Sequence, residues 1–156
     1  MTFAETLHWL QAHRSKKTVV LVTGVFDLLH EEHLHFLQRA KELGDILVVG
    51  IESDSRVKQL KGENRPIWDQ QRRMAEIEAT KIAEAVFILP EQFSQPADHE
   101  KLISDLHPDF LAISSHTAHQ EAKQKIIEKY GGKLSVVLEQ NPLVSTSALL
   151  NNPKKS

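Results

Sequence analysis

Residues 18–33 read TVVLVTGVFDLLHEEH, and this stretch decides how the rest of the chain is read. Its first six residues are β-branched or apolar and carry no polar alternation, the pattern of a strand covered on both faces, as in a parallel sheet. Gly24 then permits a tight turn and close backbone approach. A helical pattern follows over residues 31–43, with Phe36, Ala40 and Leu43 on one face and Gly44 as its stop. The same alternation repeats outward. Residues 46–51 (ILVVGI) predict a second buried strand, and 85–89 a third, stopped by Pro90. Residues 110–113 predict a fourth and 134–138 a fifth. Helical patterns lie between them at 54–60, after an Asp69 cap (with Met74, Ile77 and Ile82 on the core face), at 98–106 and at 118–130. Ser145 reads as the cap of a last short helix through Leu150, and residues 151–156 as a frayed tail.

Such alternation implies right-handed βαβ crossovers. The expected fold is therefore α/β, a doubly wound five-stranded parallel sheet in the order 3-2-1-4-5. The whole chain, 1–156, is expected to be a single domain, with an N-terminal helix over 1–16 opened by the capping box Thr2-Phe3-Ala4-Glu5. Ligands of such sheets sit at the carboxyl ends of the strands, where the winding reverses.

Composition narrows the chemistry. A formal net charge of -2 argues against a long nucleic acid as partner. The chain has no cysteine, which excludes disulfides, thiolate catalysis and Cys-built zinc sites. No apolar run approaches the length that crosses a membrane, and the N-terminus does not read as a targeting signal, so a cytoplasmic location is expected.

Just after the first strand, His30 and His33 stand three apart at a helix start and so share a face. Free amides at that helix end attract anions. Two imidazoles and helix amides behind a glycine make a cradle for a phosphoryl group; the plainer alternative is two surface histidines on an amphipathic helix. The segment HEEH does not fit a zincin, which needs His at i and i+4, because position 34 is Leu. No metal-ligating residue set is expected. Lys61, Arg65, Arg72 and Arg73 form the dense basic cluster of an otherwise acidic-leaning chain, readable as a phosphate clamp or as a solvated loop and helix face. Ser145, Thr146 and Ser147 place three hydroxyls at a helix start, good phosphate ligands, although Ser145 alone also reads as a cap.

GVFDLLHEEH, the spacing to LGDILVVGI, and SDSRVKQLKGENRPI with the arginine that follows resemble the cytidylyltransferase-like nucleotidyltransferase superfamily. Within it the chain resembles the adenylyltransferase of ADP-heptose synthesis and glycerol-3-phosphate cytidylyltransferase. The resemblance covers about residues 19–150 and implies transfer of a nucleoside monophosphate from ATP or CTP to a phosphorylated sugar or polyol, with release of pyrophosphate. It implies that His30 and His33 contact the triphosphate. Lys61, in a mobile loop, and Arg73 would reach the phosphates. Thr23, Gly24, Val25, Phe26 and Asp27 would form the motif turn, and Ser145, Thr146 and Ser147 a nucleotide-binding signature. Magnesium is implied as the accompanying ion, and a homodimer is common among such relatives. Two departures stand out. Glu32 occupies the place of the motif glycine, which opens a second reading as a nucleotide-binding protein impaired in turnover. Ser114 and Ser115 replace a Lys- or Gly-rich segment and read either as contacts to base or acceptor or as caps of the next helix. An adenylyltransferase of flavin or coenzyme synthesis is a third reading on the same scaffold.

Overall fold

The computed structural model describes residues 1–138. Five parallel strands lie in the order β3-β2-β1-β4-β5: β1 Val19–Gly24, β2 Ile46–Ile51, β3 Ala85–Ile88, β4 Phe110–Ser114 and β5 Lys133–Leu138. This is the expected doubly wound order. β1, β2 and β4 sit at the centre because nearly every residue in them is apolar, so both faces can be covered. Successive residues of β1 serve opposite cores. Val19 and Leu21 pack against α1 (Phe3–His13), α5 (Pro96–Leu106) and α6 (Gln120–Lys129), through Leu10, Leu102, Ile103, Leu106 and Ile127. Val20 and Val22 pack against α2 (Glu31–Lys41) and α4 (Gln70–Thr80), through Leu37, Ala40 and Ile77. A short helix, α3 (Asp54–Lys61), follows β2 directly.

Helix boundaries follow their local chemistry. Thr2 and Glu5 close the predicted capping box of α1. Ser53 caps α3 and Asp69 caps α4. Pro96 sits in the first turn of α5, where its missing N–H costs nothing, so that helix starts two residues before the predicted 98.

The pairing of β1 sets the position of the crevice. β1 pairs with β2 along all six residues, from Val19–Ile46 to Gly24–Ile51. Against β4 it pairs only at Val20–Phe110 and Leu21–Leu111. Beyond Leu21 the two strands are no longer laddered, and the carboxyl edge of the sheet opens between them, where the winding reverses.

Candidate functional site

The turn after β1 is built by strain and a buried carboxylate. Gly24 is required by close approach, since a Cβ there would meet the Phe26 ring at 2.8 Å. Phe26 and Leu28 both adopt positive φ, 52° and 51°. Left-handed backbone costs a non-glycine residue about 1–2 kcal/mol. Burial of the Phe26 ring against the α2 face, at 6% exposure, offsets that cost. Between the two strained residues Asp27 turns inward and accepts hydrogen bonds from the amides of Ile67 (2.7 Å) and Trp68 (2.9 Å). The motif aspartate thus ties the polar segment after α3 to the end of β1.

His30 is the N-cap of α2, and His33 closes the cap with it. The Glu32 amide donates to His30 Nδ1 (3.2 Å), and the His30 amide donates to His33 Nδ1 (3.3 Å). This is a capping box in which imidazoles stand where Ser or Thr and Glu usually do. Because each Nδ1 accepts, a neutral ring carries its proton on Nε2. The rings stack with centroids 3.8 Å apart, and Phe26 lies edge-on to His33 at 5.5 Å. Burial, then the neighbouring His30 and Lys61, push the His33 pKa down to about 3. Burial also lowers that of His30, with Glu32 opposing. The pair is therefore neutral near pH 7 and offers N–H donors rather than positive charge. His30 Nε2 is buried and has no partner among the described residues.

Lys61 lies within electrostatic reach of His33 and of Asp27. It is the last residue of α3 rather than part of the following loop, because the Gly62 amide caps the helix on the Lys58 carbonyl. Partial removal of its ammonium from water, then the Arg65 charge, lowers its pKa, and Asp27 opposes this. The glycine-site substitute, Glu32, turns its carboxylate toward His35, 3.9 Å away.

Arg73 is placed differently from the expectation of a phosphate contact. It is fully buried at 0% exposure, beneath the motif turn. Its Nε donates to the Trp68 carbonyl (3.0 Å) and one terminal nitrogen donates to the Val25 (2.9 Å) and Glu52 (2.8 Å) carbonyls. The other terminal nitrogen pairs with Asp54 at 2.7 Å. One guanidinium thus joins the β1 turn, the end of β2 and the approach to α4. Arg72, by contrast, stacks over the Trp68 ring at 4.1 Å.

Ser114 ends β4 and is engaged locally. Its hydroxyl lies 3.2 Å from Thr117 Oγ1, which also accepts from the Ser114 amide, and the Ser115 carbonyl accepts from Gln120. Ser145, Thr146, Ser147 and the predicted last helix and tail lie outside the described residues. The structure therefore brings together Gly24, Phe26, Asp27, His30, His33 and Lys61, with Arg73 underneath. Sequence reasoning missed a second polar group at the same edge of the sheet, Glu52, Arg56, His99 and Lys123. The spacing His-x-x-His, with imidazoles at the N-cap and N3 positions, was present in the sequence as a clue to the imidazole orientation.

Fold and site together define an α/β protein of the doubly wound, Rossmann-like class, with its polar centre at the carboxyl edge of β1. A family profile described as Cytidylyltransferase-like matches residues 21–151. The chain belongs to the cytidylyltransferase-like family. It is 36% identical over 125 residues to the bifunctional protein HldE of Syntrophotalea carbinolica, a match that covers 80% of this chain and 24% of that one. It is 35% identical over 150 residues to the bifunctional protein HldE of Helicobacter pylori, covering 96% of this chain and 30% of the relative. The chain thus spans about a quarter to a third of the length of these relatives. Among solved structures, a lipopolysaccharide core biosynthesis protein from Thermoplasma volcanium superposes with a TM-score of 0.64 at 31% identity, covering 80% of this chain and 98% of that one. A pantoate-beta-alanine ligase from Francisella tularensis shares the fold, with a TM-score of 0.62 at 14% identity, covering 91% of this chain and 67% of that one. Among the described residues no helix is long and apolar enough to cross a membrane.

Proposed function

We propose that this chain transfers a nucleoside monophosphate from ATP or CTP to a phosphorylated sugar or polyol in the cytoplasm, releasing pyrophosphate. The observation that carries this reading is the stacked His30–His33 pair, whose two Nδ1 atoms are taken by backbone amides so that both Nε2–H groups remain for a ligand. A buried N–H without a partner is costly, and a phosphate oxygen supplies the acceptor that His30 Nε2 lacks. In this reading His30 and His33 hydrogen-bond the phosphates at the N-terminus of α2, where the helix amides add positive potential. Lys61 supplies the charge that neutralises the departing pyrophosphate. Thr23 to Asp27 shape the turn over which the nucleotide lies, and Ser145, Thr146 and Ser147 complete its phosphate contacts. Arg73 acts as a positioning residue that fixes this turn. The acceptor phosphate is already anionic, so its oxygen attacks without a general base, and rate enhancement comes from alignment and charge neutralisation.

The described residues do not offer a cage for magnesium. No three of their His, Asp or Glu side chains are grouped to hold a metal ion, and Asp27 is engaged by the Ile67 and Trp68 amides. Magnesium would instead ride on the nucleotide's own phosphate oxygens, and no step above is routed through it.

The test is pyrophosphate release across the four nucleoside triphosphates and a panel of phosphorylated acceptors, with His33→Ala beside the wild type. Release that needs both substrates and falls at least a hundredfold in His33→Ala is expected. Nucleotide affinity and turnover equal in the two proteins would refute the site.

A further inference from the structure

On the other side of the β1 end from the His pair lies a second group of polar and charged side chains, with no ion pair within it among the described residues. Glu52 directly follows β2. Its amide donates to the Gly24 carbonyl at 2.9 Å, and its carbonyl receives Arg73, so its backbone is fixed against the motif turn. Among the described residues its Oε2 is buried without a partner, and so is Nε of Arg56 on α3. Across the crevice, Lys123 of α6 and His99 in the first turn of α5 line a cavity of about 20 Å³ together with Thr23 and Ile113. That cavity lies where β1 and β4 stop pairing. Glu52 lies within electrostatic reach of Arg56 and Lys123, and His99 of Lys123 and Arg56, yet no hydrogen bond or ion pair joins Glu52 to either cation. Burial drives His99 down to about 4, lowers Lys123 and raises Glu52. Fold stability alone does not favour such a group. Buried charges are normally paired, and a carboxylate and two cations at this range would gain by closing on each other. A ligand that bridges them removes the cost.

The chemistry identifies that ligand. Two cations suit a phosphate. A carboxylate beside them repels a bare anion and selects one that also presents hydrogen-bond donors, which hydroxyl groups do. Geometry gives it a task. α2 covers one face of the sheet, whereas α5 and α6 cover the other. In-line displacement requires the attacking oxygen to arrive opposite the leaving group. With pyrophosphate leaving beside the α2 histidines, the attacking phosphate must come from the α5–α6 side.

We propose that Glu52, Arg56, His99 and Lys123 form the acceptor subsite for a hydroxyl-bearing phosphomonoester, with Lys123 and Arg56 on its phosphate and Glu52 on its hydroxyls. This rests on the nucleotidyl-transfer reading above. An acceptor phosphate oxygen bonds to the nucleotide α-phosphorus as the bond to the bridging oxygen of pyrophosphate breaks. The electron pair leaves with pyrophosphate, and nothing is oxidised or reduced. Wild type, Lys123→Gln, Arg56→Gln and Glu52→Gln are compared by pyrophosphate release and by direct titration of glycerol 3-phosphate and hexose and heptose 1-phosphates onto the protein held with a non-hydrolysable triphosphate. Lys123→Gln and Arg56→Gln should raise the acceptor KM and Kd at least tenfold, with nucleotide Kd within twofold of wild type. Glu52→Gln should weaken the sugar phosphates more than glycerol 3-phosphate, and it should melt no lower than wild type because it relieves an unpaired buried charge. Acceptor KM and Kd within twofold of wild type in all three variants overturn the proposal. So does a wild type that binds nucleotide but none of these phosphates, and in that case the nucleotide site itself stands. If no nucleotide binds, the parent reading fails and the subsite falls with it.

Discussion

Replacing Arg73 with lysine separates a brace from a phosphate ligand. The guanidinium makes four hydrogen bonds at 2.7 to 3.0 Å, three to backbone carbonyls and one to Asp54, with no exposed surface. A lysine ammonium is a point donor on a longer, flexible stem and cannot span carbonyls that converge from the β1 turn, the end of β2 and Trp68. It keeps two of the four bonds at most. Hydrogen bonds from charged donors contribute about 1.5–3 kcal/mol each, so the loss of two of them should cost Arg73→Lys about 3–6 kcal/mol. For a chain of this size each kcal/mol shifts Tm by about 2–4 °C, which gives a drop of about 10 °C. Urea denaturation and thermal melting measure this directly. Asp54→Asn, which removes one partner and keeps the shape, should lose less. A protein with Arg73→Lys that melts within 2 °C of wild type but turns over a hundredfold more slowly would refute this reasoning. It would put the guanidinium on the substrate instead.

The neutral His pair gives a pH signature. Folded His33 takes up a proton only near pH 3, whereas the unfolded chain does so near 6.5. Between those values the unfolded state binds more protons, so stability should fall as pH drops from about 6.5 toward 3 and stay level above 6.5. His99, lowered to about 4, acts in the same direction. His33→Ala should flatten the slope by up to about 1.4 kcal/mol per pH unit, measured by denaturation at successive pH values. Nucleotide affinity that collapses as pH rises through 6.5 would mean that the imidazoles bind as cations. At Glu32, removal of charge and bulk by Glu32→Gly should raise nucleotide affinity severalfold, since 1 kcal/mol is about a factor of five. Glu32→Gln isolates the charge, and equal titrations for all three proteins would place the phosphates elsewhere. Asp27→Ala leaves the Ile67 and Trp68 amides without their acceptor. Their hydrogen exchange should accelerate at least tenfold and nucleotide should slow it again across 60–68; protection equal to wild type would show that Asp27 does not anchor this segment.

The order of elements was legible in the sequence because it rests on local periodicity. The β-branched or apolar runs at 18–23 and 46–51 demand cover on both faces, helical patterns between strands force parallel crossovers, and Gly24 marks the turn. The His30–His33 pair was legible for the same reason, since three-residue spacing on a helix fixes a shared face whatever surrounds it. The direction in which a side chain is spent depends instead on residues far away in the chain. Arg72 and Arg73 are adjacent and chemically identical in sequence. The helical turn of about 100° between them sends one over Trp68 at the surface and the other beneath the motif turn, to carbonyls of Val25, Glu52 and Trp68. Asp27 reads as a motif residue, but only folding shows that its carboxylate is occupied by backbone amides forty residues on. Glu52, Arg56, His99 and Lys123 carry no shared periodicity at all. They meet because β1 and β4 part beyond Leu21 and Leu111, and the loss of a ladder between two strands is a property of the assembled sheet rather than of any one segment.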